Sequence, residues 1–99
     1  MEKSNAVKSL TALAQESRLD IFRLLVRKGK TGMAAGELSD YFGLPKATMS
    51  FHLKELTNAG LITARRKSRS IIYAANYDNM NALINFLVEN CCSDNGGKC

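Results

Sequence analysis

Gly43-Leu44-Pro45 holds the only proline of the chain, and it falls between two short stretches of helical periodicity. Proline fixes its own φ and lacks an N–H, so it suits the first turn of a helix and not the interior. A helix therefore starts at about Lys46, and the one before it, Glu37 to Phe42, has already ended. From Lys46 to Asn58, Met49, Leu53 and Leu56 recur at i, i+4 and i+7 and form one apolar face. A short helix, a three-residue turn and a second helix have the spacing of a helix-turn-helix.

The flanks complete the pattern. Val7, Leu10, Leu13 and Ala14 predict a first helix from about Ala6. Ser17 is placed to cap a second helix striped by Leu19, Phe22, Leu25 and Val26, which Lys28-Gly29-Lys30 ends. Leu61–Ala64 and Ile71–Ala74 are β-rich runs on either side of Arg65-Arg66-Lys67-Ser68-Arg69-Ser70, a hairpin with a basic tip. Asn76 or Asp78 can cap a last helix striped by Met80, Leu83, Ile84, Leu87 and Val88. The expected fold class is mostly α with a small β-hairpin, a winged helix-turn-helix. At 99 residues a single core is small. The stripes on the first and last helices are more than a winged core needs, so a homodimer sharing them is expected. Packing of both stripes within one chain is the alternative.

The net charge is +5. Residues 46–69 hold six cations (Lys46, Lys54, Arg65, Arg66, Lys67, Arg69) against one acid, Glu55, so this window carries the whole surplus. Such concentration is the footprint of a polyanion binder. Lys46, Thr48, Ser50, Phe51, His52 and Lys54 are assigned to the face of the reading helix away from Met49. Thr48, Ser50 and His52 are candidates for base edges and Phe51 for a thymine methyl, with Lys46 and Lys54 on phosphates. Arg69, supported by Arg66, reaches the backbone or minor groove from the wing. The expected partner is double-stranded operator DNA, an inverted repeat with half-sites about 10 bp apart.

All three cysteines lie in the last nine residues, at Cys91, Cys92 and Cys99. Residues 1–90 are therefore assigned to the DNA-binding and dimerisation domain and 91–99 to a cysteine-bearing tail. Cys91 and Cys92 also continue the apolar stripe, four residues after Leu87 and Val88, so packing is an alternative for that pair. Cys99 follows Asp94-Asn95-Gly96-Gly97-Lys98, which has nothing to pack with. Three thiolates form a soft donor set, excluding Mg²⁺ and Ca²⁺. Zn²⁺ or Cd²⁺ would need a fourth ligand, from Asp94 or Glu89. Trivalent arsenic or antimony needs only three. Adjacent side chains on a helix diverge, so Cys91 and Cys92 can share one centre only where the helix ends. An odd cysteine count argues against a closed disulfide framework. No apolar run approaches the roughly 20 residues of a membrane span and no secretion signal is evident, so no membrane association and a cytoplasmic location are expected.

The motifs resemble a known family. Leu13-Ala14-Gln15-Glu16-Ser17-Arg18-Leu19 is similar to the "LA-x-x-x-R-L" signature of the ArsR/SmtB metalloregulatory repressors. Lys46–Leu56, with Ser50, His52 and Leu53, resembles their "S-x-x-S-x-HL-x-x-L" recognition helix. Asn58-Ala59-Gly60-Leu61-Ile62 with Arg69 and Tyr73 resembles their wing, with Ser68 where glycine is common. The resemblance covers about residues 6–90. It implies homodimeric winged-helix repressors that leave their operator when an inducer binds.

The arsenical type of this family with a Cys-x-Cys pair at the third helix is not matched, since Met33–Leu38 has no cysteine. Nor is the zinc type with histidine ligands on the last helix, since the only histidine is His52. The tail resembles a subgroup of arsenical repressors with a C-terminal site. The implied function is release from DNA when arsenite, or antimonite, binds Cys91, Cys92 and Cys99, with no organic cofactor. Thiol-redox, persulfide and zinc or cadmium responses of the same fold remain open, as does a non-regulatory metalloid carrier. No enzyme constellation is visible.

Overall fold

The computed structural model describes residues 1–99. Helix α1 spans Lys3–Leu13 and α2 Glu16–Lys28. A 3-10 turn, Gly29–Thr31, leads to strand β1 (Met33–Ala34) and helices α3 (Ala35–Phe42) and α4 (Lys46–Asn58). Strands β2 (Ile62–Lys67) and β3 (Ser70–Ala75) form the hairpin, and α5 covers Tyr77–Val88. The fold is the expected winged helix-turn-helix.

The turn from α3 into α4 shows how the sequence sets the site. Gly43 ends α3 in the left-handed conformation at φ 63°, and Leu44 N–H closes the turn on the Ser39 carbonyl at 3.1 Å. Pro45 is extended, and its carbonyl accepts the first α4 bond from Met49 N–H at 2.9 Å. Met49, Leu53 and Leu56 are fully buried and meet Ile21 and Leu25 of α2, Leu38 of α3, and Leu61. Burying side chains of this size contributes roughly 1.5–3 kcal/mol each. This core therefore fixes how α4 presents its other face.

Four local expectations are corrected. Helix α1 begins at Lys3 and buries Ala6, Ser9 and Ala12, while Val7 and Leu10 face outward. The small residues allow α1 to lie close to the core; Leu13 packs against it, while Val7 and Leu10 are left uncovered. Gln15, not Ser17, caps α2, accepting from Arg18 N–H at 2.8 Å. Helix α3 starts at Ala35, with Glu37 accepting from Ala34 N–H at 2.9 Å. Strand β1 is an addition to the hairpin, giving a three-stranded antiparallel sheet in the order β1-β3-β2. Met33 pairs with Tyr73 and Ala34 with Ile72. Gly32 permits this pairing, because a Cβ there would collide with the Tyr73 carbonyl.

The wing register runs from Ile62 opposite Ala75 to Lys67 opposite Ser70, leaving Ser68 and Arg69 at the tip. Ser68 takes φ 55°, which explains why glycine suits this position. The radius of gyration, 15.4 Å, exceeds the ~13 Å of a compact chain of this length. Two elements are only thinly covered. Only Ile62 is buried in β2, and only Leu83 in α5.

Candidate functional site

Two faces carry the chemistry. The first is the outward side of α4. Ala47, Ser50, Phe51 and Lys54 are exposed at i, i+3, i+4 and i+7, opposite the buried Met49 and Leu53. Lys46 and Thr48 flank this stripe and are also exposed. Phe51 is 55% exposed, so no neighbouring helix covers its ring. Ala47 carries no chemistry that would single it out in the sequence.

His52 is corrected. It is only 7% exposed, because it stands at i+3 from Met49 and i−4 from Leu56 and shares their inward face. Its Nδ1 lies 3.4 Å from Arg18 Nη1. Burial, then the neighbouring Arg18 charge, hold its pKa below the ordinary 6.5. Its side chain is thus turned toward the core and Arg18 and not outward with Ser50 and Phe51. His52 instead sets α4 against the α1–α2 corner, where Arg18 Nε also donates to the Ala12 carbonyl at 2.7 Å.

On the wing, Arg66, Lys67 and Arg69 are exposed. Arg65 is occupied, its Nη2 donating to the Thr31 carbonyl at 2.9 Å. The basic window thus divides into one structural arginine and a free tip.

The second face is the tail. Helix α5 stops at Val88, and Glu89 is extended. Asn90 and Cys92 then adopt left-handed conformations at φ 61° and 58°. Cys91 N–H bonds the Val88 carbonyl at 2.9 Å, and Asn95 and Gly97 N–H both bond the Cys92 carbonyl at 2.9 Å. Gly96 and Gly97, at φ 65° and 76°, reverse the chain toward Cys91. The helix thus ends before the vicinal pair, and the divergence expected of adjacent helical side chains does not arise.

The three sulfurs lie within 4.8 Å of one another, with no histidine or carboxylate ligand atom in the group. Cys91 Sγ is 3.6 Å from Cys92 Sγ and 3.4 Å from Cys99 Sγ. Sulfurs that share one centre at about 2.3 Å stand roughly 3.4–3.8 Å apart. Cys92 and Cys99 are joined by a disulfide and Cys91 is free and exposed, so the odd count leaves one thiol outside the bridge. Reduction of that bond frees three convergent thiols. Cys91 is exposed and Cys92 half-buried, so neither is packed in the core.

A family described as "Helix-turn-helix domain" matches residues 13–65. The arsenical resistance operon repressor of Bacillus subtilis is 36% identical over 81 residues, covering 82% of this chain and 73% of that protein. The chain belongs to the ArsR family of transcriptional repressors. Among solved structures, HlyU of Vibrio cholerae aligns with this ArsR-family chain at a TM-score of 0.72 and 32% identity. The alignment covers 93% of this chain and 99% of HlyU. A homodimeric winged helix-turn-helix DNA-binding domain from Mycobacterium bovis aligns at 0.70 and 26% identity, covering 88% and 81%. As an ArsR-family member the chain is a DNA-binding regulator, and the relatives named are regulators rather than enzymes. No helix is long and apolar enough to cross a membrane.

Proposed function

We propose that this chain is a homodimeric repressor that leaves its operator when arsenite or antimonite binds Cys91, Cys92 and Cys99. The observation that carries the reading is the convergence of three sulfurs with no fourth side-chain ligand. Arsenous acid and three thiols give a neutral three-coordinate complex and three waters. Zinc would need a further donor and leave net negative charge. A cellular thiol reduces the Cys92–Cys99 bond first, becoming oxidised in its place.

DNA is held by Lys46, Thr48, Ser50, Phe51 and Lys54 of α4, and by Arg66 and Arg69 of the wing. Val7 and Leu10 of α1 and Ile84, Leu87 and Val88 of α5, all exposed, form the dimer surface. Fixing the tail to the end of α5 alters that surface and the spacing of the two α4 helices. A coupling of about 1–3 kcal/mol is enough to release DNA.

The test is stoichiometry. The reduced protein is titrated with arsenite while free thiols are counted. One arsenite per chain consuming three thiols, with Zn²⁺ a weak competitor, supports the reading. Binding that leaves a thiol free, or tighter binding of Zn²⁺, contradicts it. A second reading, a thiol-redox-responsive repressor, is favoured by the Cys92–Cys99 disulfide. It requires operator affinity to differ between oxidised and reduced protein with no metalloid present.

A further inference from the structure

We infer that Asn79 and Ser9 are positioning residues that transmit the state of α5 to the recognition helix α4. The inference deepens the reading above and rests on it for the identity of the inducer, though not for the joint itself.

The last carbonyls of a helix have no partner within it. In α4 and its exit, two of these are taken by side chains of the outer helices. Ser9 Oγ of α1 donates to the Ala59 carbonyl at 3.4 Å, and Asn76 Nδ2, from the residue capping α5, donates to the Gly60 carbonyl at 3.0 Å. Asn79 of α5 closes the chain, its Nδ2 donating to Ser9 Oγ at 3.4 Å while its own N–H bonds Asn76 Oδ1 at 3.3 Å. Ser9 is 1% exposed, so leaving its hydroxyl without a partner would be costly. Asn79 also packs on Gly60, where a Cβ would come 3.7 Å from its amide nitrogen. Three helices thus meet in one hydrogen-bonded joint at the end of α4, centred on the buried Ser9 hydroxyl.

The rest of α5 makes this joint a pivot. Tyr77 Oη donates to the Val26 carbonyl at 2.8 Å, so the first turn of α5 is bound to α2 as well. Past Leu83 the helix is largely uncovered: Ile84, Leu87 and Val88 are about half exposed. Twelve residues span about 18 Å, so a displacement at the tail acts on the anchored end through a rigid lever. Arg18 and His52 connect α1 to the middle of α4 but do not touch α5. The Asn79–Ser9 bond is therefore the side-chain link that carries α5 motion into the packing of α1 on α4.

Asn79→Leu keeps the side-chain shape and removes only the bond to Ser9, and Ser9→Ala is the second variant. Folding of each is checked by thermal melting. Two readouts are made on the homodimer. The first is operator affinity with and without arsenite. The wild type is expected to weaken by roughly 5–150-fold, as coupled sites do, and the variants to lose most of that factor while binding arsenite normally. The second needs no inducer: amide exchange of residues 84–92 with and without operator DNA. Operator-induced protection there in wild type, lost in the variants, supports the joint. Protection that persists in Asn79→Leu, or is absent from the wild type, overturns it. Wild type that is indifferent to arsenite yet shows the exchange effect would count against the inducer and in favour of the joint.

Discussion

Arg18 Nη1 stands 3.4 Å from His52 Nδ1, and Arg18 Nε holds the Ala12 carbonyl at 2.7 Å, so one guanidinium ties the end of α1 to the middle of the recognition helix. The pairing demands a neutral imidazole, whose Nδ1 can then accept the hydrogen bond that Arg18 offers.

A pH dependence follows. The folded pKa of His52 lies below that of the unfolded chain, near 6.5. Between the two values the unfolded state binds the extra proton, so stability rises with pH there and is complete above about 6.5. Melting temperature is expected to fall as pH drops from about 7 toward about 5.5, and His52→Gln to flatten that slope. An unchanged slope in the variant would show that the sole histidine does not drive it.

Arg69 at the wing tip is expected to hold phosphate. Arg69→Ala should weaken binding to all DNA sequences alike. The salt slope should fall by about 0.9 for each phosphate no longer neutralised, and by about twice that in a dimer. Arg65→Ala, whose guanidinium is engaged by Thr31, should leave the slope unchanged. Operator titrations at several salt concentrations check both.

Leu87 is 58% exposed and Ile84 49% exposed on the free half of α5. Leu87→Lys places a charge that would be buried between two protomers. We expect the dimer dissociation constant to rise at least about a hundredfold, near 2.7 kcal/mol, in sedimentation analysis. A dimer of unchanged affinity would place the interface elsewhere.

The fold is legible in the sequence where periodicity and breakers agree. Pro45 and the Met49, Leu53, Leu56 stripe locate α4 at Lys46–Asn58, and of the two caps open for the last helix, Asn76 and Asp78, it is Asn76 that starts α5. Strand β1 is not legible, because two residues carry no alternation. Its only trace is Gly32, required by the close approach of Tyr73. The chemistry of His52 suggests DNA, although its spacing from Met49 and Leu56 puts it inward. In α1 the large apolar residues draw attention, whereas small Ala6, Ser9 and Ala12 face the core. At the tail, composition identifies the three cysteines. Their convergence depends on left-handed turns at Asn90 and Cys92; asparagine favours that conformation, but no residue preference announces it at Cys92.

The most direct measurement is operator binding by fluorescence anisotropy, with reduced wild type and Cys99→Ser titrated separately with arsenite, antimonite, Zn²⁺ and peroxide. The account predicts release of wild type by arsenite or antimonite, and a Cys99→Ser protein that binds DNA normally but is not released. Release by peroxide or Zn²⁺ alone, or arsenite release that survives in Cys99→Ser, would contradict it.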